Sequence, residues 1–144
     1  MNRLCTIGYE GATLPDVIHR LRQAGVRLVI DVRAVAASRR PGFSKTALAA
    51  SLAEAGIDYA HLRALGTPKA GREAARAGRT QEMAAIFAAH LAQPEAQLAL
   101  AQATDLARAT PAALLCFEAD PARCHRRILA DQLVASETFE VVDL

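Results

Sequence analysis

Side chains suited to nucleophilic and acid–base chemistry gather in one short segment of the sequence, residues 116–126, which holds two cysteines, Glu118, His125 and two arginines. Glu118 ends an apolar run, and a partly buried carboxyl group there either exchanges protons with a substrate or caps the next helix. Cys124 and His125 lie where a helix is predicted to begin. The positive helix end and nearby cations lower the pKa of a thiol. Cys124 is therefore a candidate nucleophile or a small packing residue, and His125 is a candidate proton shuttle.

A second polar pair, Asp31 and Arg33, ends another apolar run. The two side chains share one face of a strand, because side chains alternate with a period of two. They form either a structural ion pair or an acid and an anion clamp facing a ligand. We take Asp31 as a candidate catalytic residue and Arg33 as a candidate ligand-binding residue. Arg126, at the start of the last predicted helix, is a second candidate anion ligand.

These residues need a sheet that brings strand ends together. Alternating apolar runs and helical periodicity predict an α/β fold in a single domain, 1–144, with a mostly parallel central sheet of four to five strands flanked by helices. The predicted strands are 4–9, 27–33, 57–62, 112–117 and 140–144. The predicted helices are 14–24, 44–55, 80–92, 94–109 and 121–134, with a loop at 66–72 and a short helical turn at 72–78. The carboxyl ends of parallel strands meet at one edge, where ligands bind.

Several sharper readings of the cysteines fail. A phosphatase-type loop needs Arg six residues after Cys, but Ala122 and Ala130 occupy those positions. Cys124, His125 and Arg126 fall in the first turn and a half of the last predicted helix, where successive side chains diverge by about 100°, so at most two of them can share a ligand. A zinc site would need Cys116, Cys124, His125 and His61 to meet without any recognisable ligand spacing. No phosphate-loop or dinucleotide motif is present. We therefore predict no metal and no cofactor.

Composition limits the setting. The chain has 144 residues and a net charge of +2, too small by itself to indicate a nucleic-acid partner. Three cysteines without a CxxC pair, and no export signal, predict reduced thiols and a cytoplasmic location. No apolar run reaches the ~20 residues that cross a bilayer, so no membrane partner is expected. The helix faces within 80–109 are alanine-rich, and they either pack internally or form a homodimer contact.

Basic residues cluster in and beside the loops that follow two of the predicted strands. They form either an electropositive rim over the site or a solvated surface. They are Arg39, Arg40, Lys45, Lys69, Arg72, Arg76 and Arg79.

Several motifs occur together and in order along nearly the whole chain. They are Thr6-Ile7-Gly8-Tyr9, Asp31-Val32-Arg33, Ser38-Arg39, Phe43, Tyr59, Leu65-Gly66 and Cys116-x-Glu118-x-Asp120-Pro121-x-x-Cys124-His125-Arg126. This combination resembles the DUF488 family, also called YeaO-like, which is widespread in bacteria and archaea. The resemblance implies a compact α/β domain of unassigned activity. It adds Gly8, Tyr9, Ser38, Arg39 and Gly66 to the candidate ligand-binding residues. Thr67 departs from the pattern, because many relatives have a second glycine there.

Two functions are consistent with these residues. The first is an uncharacterised small enzyme that performs hydrolysis or group transfer on a phosphorylated or nucleic-acid-derived substrate, held at an anion-binding helix N-terminus. The alternative is a non-catalytic module that binds a nucleotide or nucleic acid. The expected partner is a small phosphate-bearing anion or single-stranded nucleic acid.

Overall fold

Short apolar segments pair as the strands of a parallel sheet in the computed structural model, which describes residues 2–136 and 138–144. The strands are β1 (Asn2–Gly8), β2 (Leu28–Asp31), β3 (Asp58–His61), β4 (Ala112–Cys116) and β5 (Phe139–Asp143). Their order across the sheet is β3-β2-β4-β1-β5, and each neighbouring pair is parallel. The predicted α/β fold with a mostly parallel sheet of four to five strands is confirmed.

Helices connect these strands, and most begin where the sequence predicts. They are α1 (Leu14–Gln23), α2 (Lys45–Glu54), α3 (Lys69–Arg76), α4 (Thr80–Leu91), α5 (Pro94–Ala109) and α6 (His125–Ser136). Thr13 caps α1 by accepting a hydrogen bond from the Asp16 amide at 3.3 Å. Gly25 follows that helix at φ 74°, a conformation that glycine adopts at little cost. Local capping signals thus predict this helix well.

Two predicted segments differ in the structure. Residues 69–72 were expected in a loop, but α3 begins at Lys69. A Cβ atom at Gly71 would lie 2.2 Å from Thr67 Cγ2 and 3.3 Å from Ile86 Cγ2, so the glycine lets α3 pack closely against its surroundings. The last helix was expected to start at Pro121. Instead Pro121–Arg123 form a 3₁₀ turn, and α6 begins at His125.

The sheet is covered on both faces, with a separate apolar cluster on each. Period-two alternation sends Ile7 and Val29 to the face covered by α1 and α2. It sends Leu4 and Ile30 to the other face, where α4, α5 and α6 pack. The alanines of α5, such as Ala103, are buried in this second cluster, so the shallow face of that helix packs internally. The result is three layers, helices–sheet–helices.

The strand order creates a crevice at the carboxyl edge. The chain moves from β1 to β2 to β3 in one direction across the sheet and then returns to β4, and the two directions put the connecting helices on opposite faces. The chain that leaves β4 therefore leads to a helix on one face, whereas the chains that leave its neighbours β1 and β2 lead to helices on the other. In parallel sheets a crevice at such a switch point is where ligands bind.

Within the described residues, no helix is long and apolar enough to cross a membrane.

Candidate functional site

The crevice opens into a cavity of about 590 Å³ at the carboxyl edge of the sheet. This volume lies within the range of small-molecule sites, roughly 300–1,000 Å³. Its walls come from the segments after β1, β2 and β4 together with α3 and the 3₁₀ turn before α6. The polar or reactive lining residues are Tyr9, Glu10, Arg33, Thr67, Arg72, Arg76, Cys116, Glu118, Arg123, Cys124 and His125. The expected convergence of strand ends therefore occurs.

Cys116, Cys124 and His125 lie together at the buried end of the cavity, and we call them the thiol–imidazole cluster. His125 Nδ1 is 3.6 Å from Cys124 Sγ and 3.8 Å from Cys116 Sγ. On the other side of the ring, Nε2 is 2.8 Å from the Val32 carbonyl oxygen. A carbonyl oxygen only accepts hydrogen bonds, so Nε2 carries a proton and Nδ1 is turned toward the two sulfurs.

Backbone conformation explains why adjacent residues meet here. Cys124 is extended, with φ −127° and ψ 149°, and stands just before α6 instead of inside it. The prediction that Cys124 lies inside the last helix is therefore wrong, and its side chain can meet that of His125. Cys116 is buried as well, at 7% exposed, and its side chain completes the cluster from the end of β4.

The cluster polarises its own protons. Burial is the largest single influence on the pKa of the Cys124 thiol, and it acts to raise it. The hydrogen bonds from Cys116 and His125, together with the charges of His125 and Arg126, nevertheless hold the pKa of the Cys124 thiol well below its ordinary value. Burial also works to lower the pKa of His125, but the hydrogen bond and charge of Cys124 raise it overall. When no ion is bound, both shifts favour a thiolate beside an imidazolium.

The second thiol responds in the opposite sense. The hydrogen bond to Cys124 and then burial raise the pKa of Cys116 well above its ordinary value. Both influences favour the protonated form of the Cys116 thiol.

Glu118 stands beside the cluster, at the turn after β4. Its Oε2 is 3.8 Å from Cys116 Sγ, and its side chain is partly buried. Burial, followed by the negative charge at Cys124, raises the pKa of this carboxyl to about 7. A carboxyl with such a pKa exchanges protons readily near neutral pH. Glu118 thus lines the cavity, and its raised pKa suits it to acid–base chemistry.

Asp31 and Arg33 form a buried ion pair. Asp31 Oδ2 accepts from Arg33 Nη2 at 2.7 Å and from the Tyr59 hydroxyl at 2.5 Å, while Oδ1 accepts from Arg33 Nε at 2.9 Å. Burial acts to lower the pKa of Arg33, but the hydrogen bond and charge of Asp31 raise it overall. Burial and then Asp31 raise the pKa of the Tyr59 hydroxyl. Asp31 does not line the cavity. We therefore assign it to positioning Arg33 rather than to catalysis.

Arg33 itself reaches the cavity wall. Its Nη1 donates to the Tyr9 hydroxyl at 3.1 Å and to the Phe43 carbonyl oxygen at 2.7 Å. The Tyr9 ring stacks on Phe43, with centroids 4.3 Å apart. Arg33 and Tyr9 thus line the cavity as predicted, but most of the Arg33 donors are already engaged by protein acceptors.

Arg126 is placed differently from the expectation of an anion ligand. It is fully buried, and its guanidinium donates to the Glu118 carbonyl oxygen and, at 3.1 Å, to the Ala119 carbonyl oxygen. Nε has no hydrogen-bond partner among the residues described. The side chain does not line the cavity. Arg126 therefore anchors the turn that carries Glu118.

The two glycines among the predicted ligand-binding residues are sites of close backbone approach. A Cβ atom at Gly8 would lie 1.7 Å from the Glu118 carbonyl oxygen. A Cβ atom at Gly66 would lie 2.2 Å from the Ala34 backbone nitrogen. Each glycine lets one wall of the crevice pack against the next.

Ser38 and Arg39 lie outside the cavity lining. The Ser38 amide donates to Ser44 Oγ at 3.0 Å, and Ser38 Oγ accepts from the Arg40 amide at 3.0 Å. Arg39 is exposed. Ser38 thus holds the loop between β2 and α2 in shape.

The cationic rim is smaller than the sequence suggested and includes one residue that was not singled out. Of the seven basic residues expected there, Arg72 and Arg76 line the cavity, and Arg123 from the 3₁₀ turn joins them. Arg72 Nη1 donates to the Thr67 carbonyl oxygen at 2.9 Å, whereas Arg76 and Arg123 are exposed. The position of Arg123 between two predicted site residues, Glu118 and Cys124, was the available signal.

The matching family can now be set beside this geometry. Residues 13–133 match the family model described as "Domain of unknown function DUF488". The chain belongs to the DUF488 family. The matched range contains every lining residue named above except Tyr9 and Glu10. No curated protein and no solved structure matches this DUF488 chain.

Proposed function

We propose that this protein is a small enzyme that hydrolyses or transfers a group on a phosphate-bearing substrate bound in the cavity. One observation carries the proposal: a single cavity has the thiol–imidazole cluster and Glu118 at its floor and arginines at its rim. Reactive groups and anion-binding groups thus face the same enclosed space, as a catalytic site requires.

The rim supports an anionic substrate. Arg76 and Arg123 are exposed at the cavity. The start of α6 adjoins Cys124, and the first amides of a helix lack acceptors within the helix, which favours an anion there. Planar guanidinium groups bind phosphate oxygens in pairs. A phosphorylated metabolite or a nucleotide matches this chemistry and the cavity's size.

The floor supports a reaction. Glu118, Cys124 and His125 all line the cavity. In the proposed reaction Glu118 takes and returns a proton, and the Cys124–His125 pair delivers the nucleophile. Arg33, held by Asp31 and Tyr9, forms a rigid wall that orients the substrate. Holding reacting groups in one geometry is itself a large part of rate enhancement.

The first experiment separates catalysis from binding. The full chain is incubated with chromogenic phosphate monoesters and diesters and with mononucleotides, and turnover and affinity are measured for each. Glu118→Gln should abolish turnover while leaving affinity nearly unchanged. A binding module would have no turnover to lose in either protein.

The second experiment tests the rim. Arg76→Ala and Arg123→Ala should each weaken binding of the anion, with a loss that shrinks as salt is added. Arg79→Ala is the matched control, because Arg79 pairs with Glu82 on the surface and does not line the cavity. If the two rim variants bind as tightly as the control, the cavity is not an anion site and the proposal fails.

A further inference from the structure

We propose that Cys116, Cys124 and His125 bind a single zinc ion whose fourth coordination position opens into the cavity. The binding site stands on geometry alone, and only the metal's part in hydrolysis rests on the proposed function. The sequence predicted no metal because its ligand spacing is not recognisable. The fold brings the three ligand atoms within 4.8 Å of one another.

The distances match a tetrahedral centre. With Zn–S near 2.3 Å and Zn–N near 2.0–2.1 Å, tetrahedral angles put a nitrogen and a sulfur ligand about 3.5 Å apart. His125 Nδ1 is 3.6 Å from one sulfur and 3.8 Å from the other. These edges agree to within about 0.3 Å of the ideal length. The two sulfurs lie within 4.8 Å of each other, and tetrahedral coordination sets their separation at about 3.8 Å. An ion therefore fits among the three atoms once the sulfurs move together by about 1 Å or less.

The histidine is already oriented as a ligand. Its Nε2 proton is held by the Val32 carbonyl oxygen at 2.8 Å, which turns Nδ1 toward both sulfurs. Metal-binding histidines almost always donate their other N–H to a carbonyl or carboxylate in this way, which fixes the tautomer. The contact requires Val32, at the end of β2, and α6 to meet, so it is a product of the fold.

The donor set selects the metal. Two sulfurs and one imidazole nitrogen suit zinc and exclude magnesium and calcium, which prefer oxygen. Two thiolates also balance the charge of a divalent cation. Zinc would displace the proton shared by Cys124 and His125 and the proton of Cys116.

The coordination number points to a reactive centre. Structural zinc sites are closed by four protein ligands, whereas catalytic sites keep three and leave one position for water. Cys116, Cys124 and His125 all line the cavity, so the open position faces the space where the substrate would lie. In hydrolysis, the oxygen of that water forms a bond to phosphorus as the bond to the leaving oxygen breaks. Glu118 takes the water proton and returns it to the leaving group.

Zinc binding is measured on the metal-depleted full chain, by competition with a chromophoric chelator and by elemental analysis after dialysis. We expect one zinc per chain. Cys116→Ala, Cys124→Ala and His125→Gln should each weaken the affinity by roughly a hundredfold or more, since even residues behind the ligands account for 10–100-fold. The matched control is Cys5→Ala, because Cys5 is an equally buried cysteine on the other face of the sheet.

Cobalt substitution in the unmutated chain gives a readout that does not depend on the variants folding. Co²⁺ should show the strong visible bands of tetrahedral coordination and a thiolate-to-cobalt charge-transfer band. An octahedral spectrum, substoichiometric zinc, or ligand variants that bind like the Cys5 control would each overturn the site.

The two proposals fail separately. Stoichiometric zinc without turnover of any phosphate ester refutes the enzyme and leaves the metal site standing. Turnover that survives complete chelation but is lost in Cys124→Ala shows that the thiol attacks directly, and it refutes the metal's part in hydrolysis.

Discussion

Replacing Asp31 with asparagine tests whether the buried ion pair positions the cavity wall. Asp31 is fully buried, and its two oxygens accept hydrogen bonds from the Arg33 side chain and from Tyr59. Asparagine keeps the shape but removes the charge, and its NH₂ group faces donors where an acceptor is needed. Arg33, 5% exposed, is left as a buried cation without a counter-charge.

The expected cost follows from that burial. Removing one partner of a buried ion pair typically costs about 3–5 kcal/mol, because the remaining charge is uncompensated. For a domain of this size, each kcal/mol lowers Tm by a few degrees, so a fall of roughly 10 °C is expected. Urea unfolding at neutral pH, followed by far-UV circular dichroism, measures the change in the free energy of unfolding.

The matched control makes the same chemical change at the surface. Asp105 pairs with Arg108, and the side chains are 71% and 53% exposed. Asp105→Asn should cost at most about 1 kcal/mol. In the Arg33→Leu background, Asp31→Asn should lose most of its effect, because there is no cation left to strand. Equal losses for Asp31→Asn and Asp105→Asn would refute the argument that desolvation dominates this pair.

Three further outcomes are expected from local features. In Gly8→Ala the added Cβ atom would lie 1.7 Å from the Glu118 carbonyl oxygen, which must move away to about 3.0 Å. We expect the free energy of unfolding to fall by an amount near the top of the ~1–3 kcal/mol range for overpacking, and zinc binding to weaken. Gly56→Ala is the control, because Gly56 has φ 77° and open space around its Cα. It should lower the free energy of unfolding by only about 1–2 kcal/mol and leave zinc binding intact. Equal zinc affinity in the two variants would contradict the clash at Gly8. Burial raises the pKa of the Cys5 thiol, which keeps it in the unreactive protonated form. Mass spectrometry should find Cys5 unalkylated after iodoacetamide treatment of the native protein at neutral pH and alkylated in urea. Rapid labelling of the native protein would contradict this expectation. Thr13→Ala should lower the free energy of unfolding, measured in urea, by about 0.5–2 kcal/mol. Thr13→Ser should retain the stability of the unmutated chain because serine keeps the capping hydroxyl, and an equal loss in both variants would disprove the cap's contribution.

Local signals account for the parts of the fold that were predicted well. The cap at Thr13, the proline after it and Gly25 define α1 within the sequence itself, because each acts on backbone groups a few residues away. The apolar runs predict β2 and β4, since strands buried on both faces need apolar residues at successive positions. The parallel arrangement then follows from helices between the strands, and it predicts which strand ends share an edge.

Specific packing and hydrogen-bond contacts account for the parts that were missed. Helix α3 starts earlier than expected because Gly71 allows close packing against Ile86, 15 positions later in the sequence. Arg126 turns away from the cavity because the Glu118 and Ala119 carbonyl groups need donors, which a helix-start pattern does not reveal. Neither contact has a local sequence signal.

The amino-acid sequence by itself determined most of the elements, the α/β class and the family. It also determined the edge of the sheet where Glu118, Cys124 and His125 lie, because these features depend on local pattern and on topology. Only the tertiary structure decided how those side chains meet. It ends the 3₁₀ turn at Arg123 and leaves Cys124 extended. It turns His125 by a hydrogen bond to Val32, 93 positions away in the chain. That contact converts two separate cysteines and a histidine into one thiol–imidazole cluster, since ligand geometry depends on distances that no local pattern encodes.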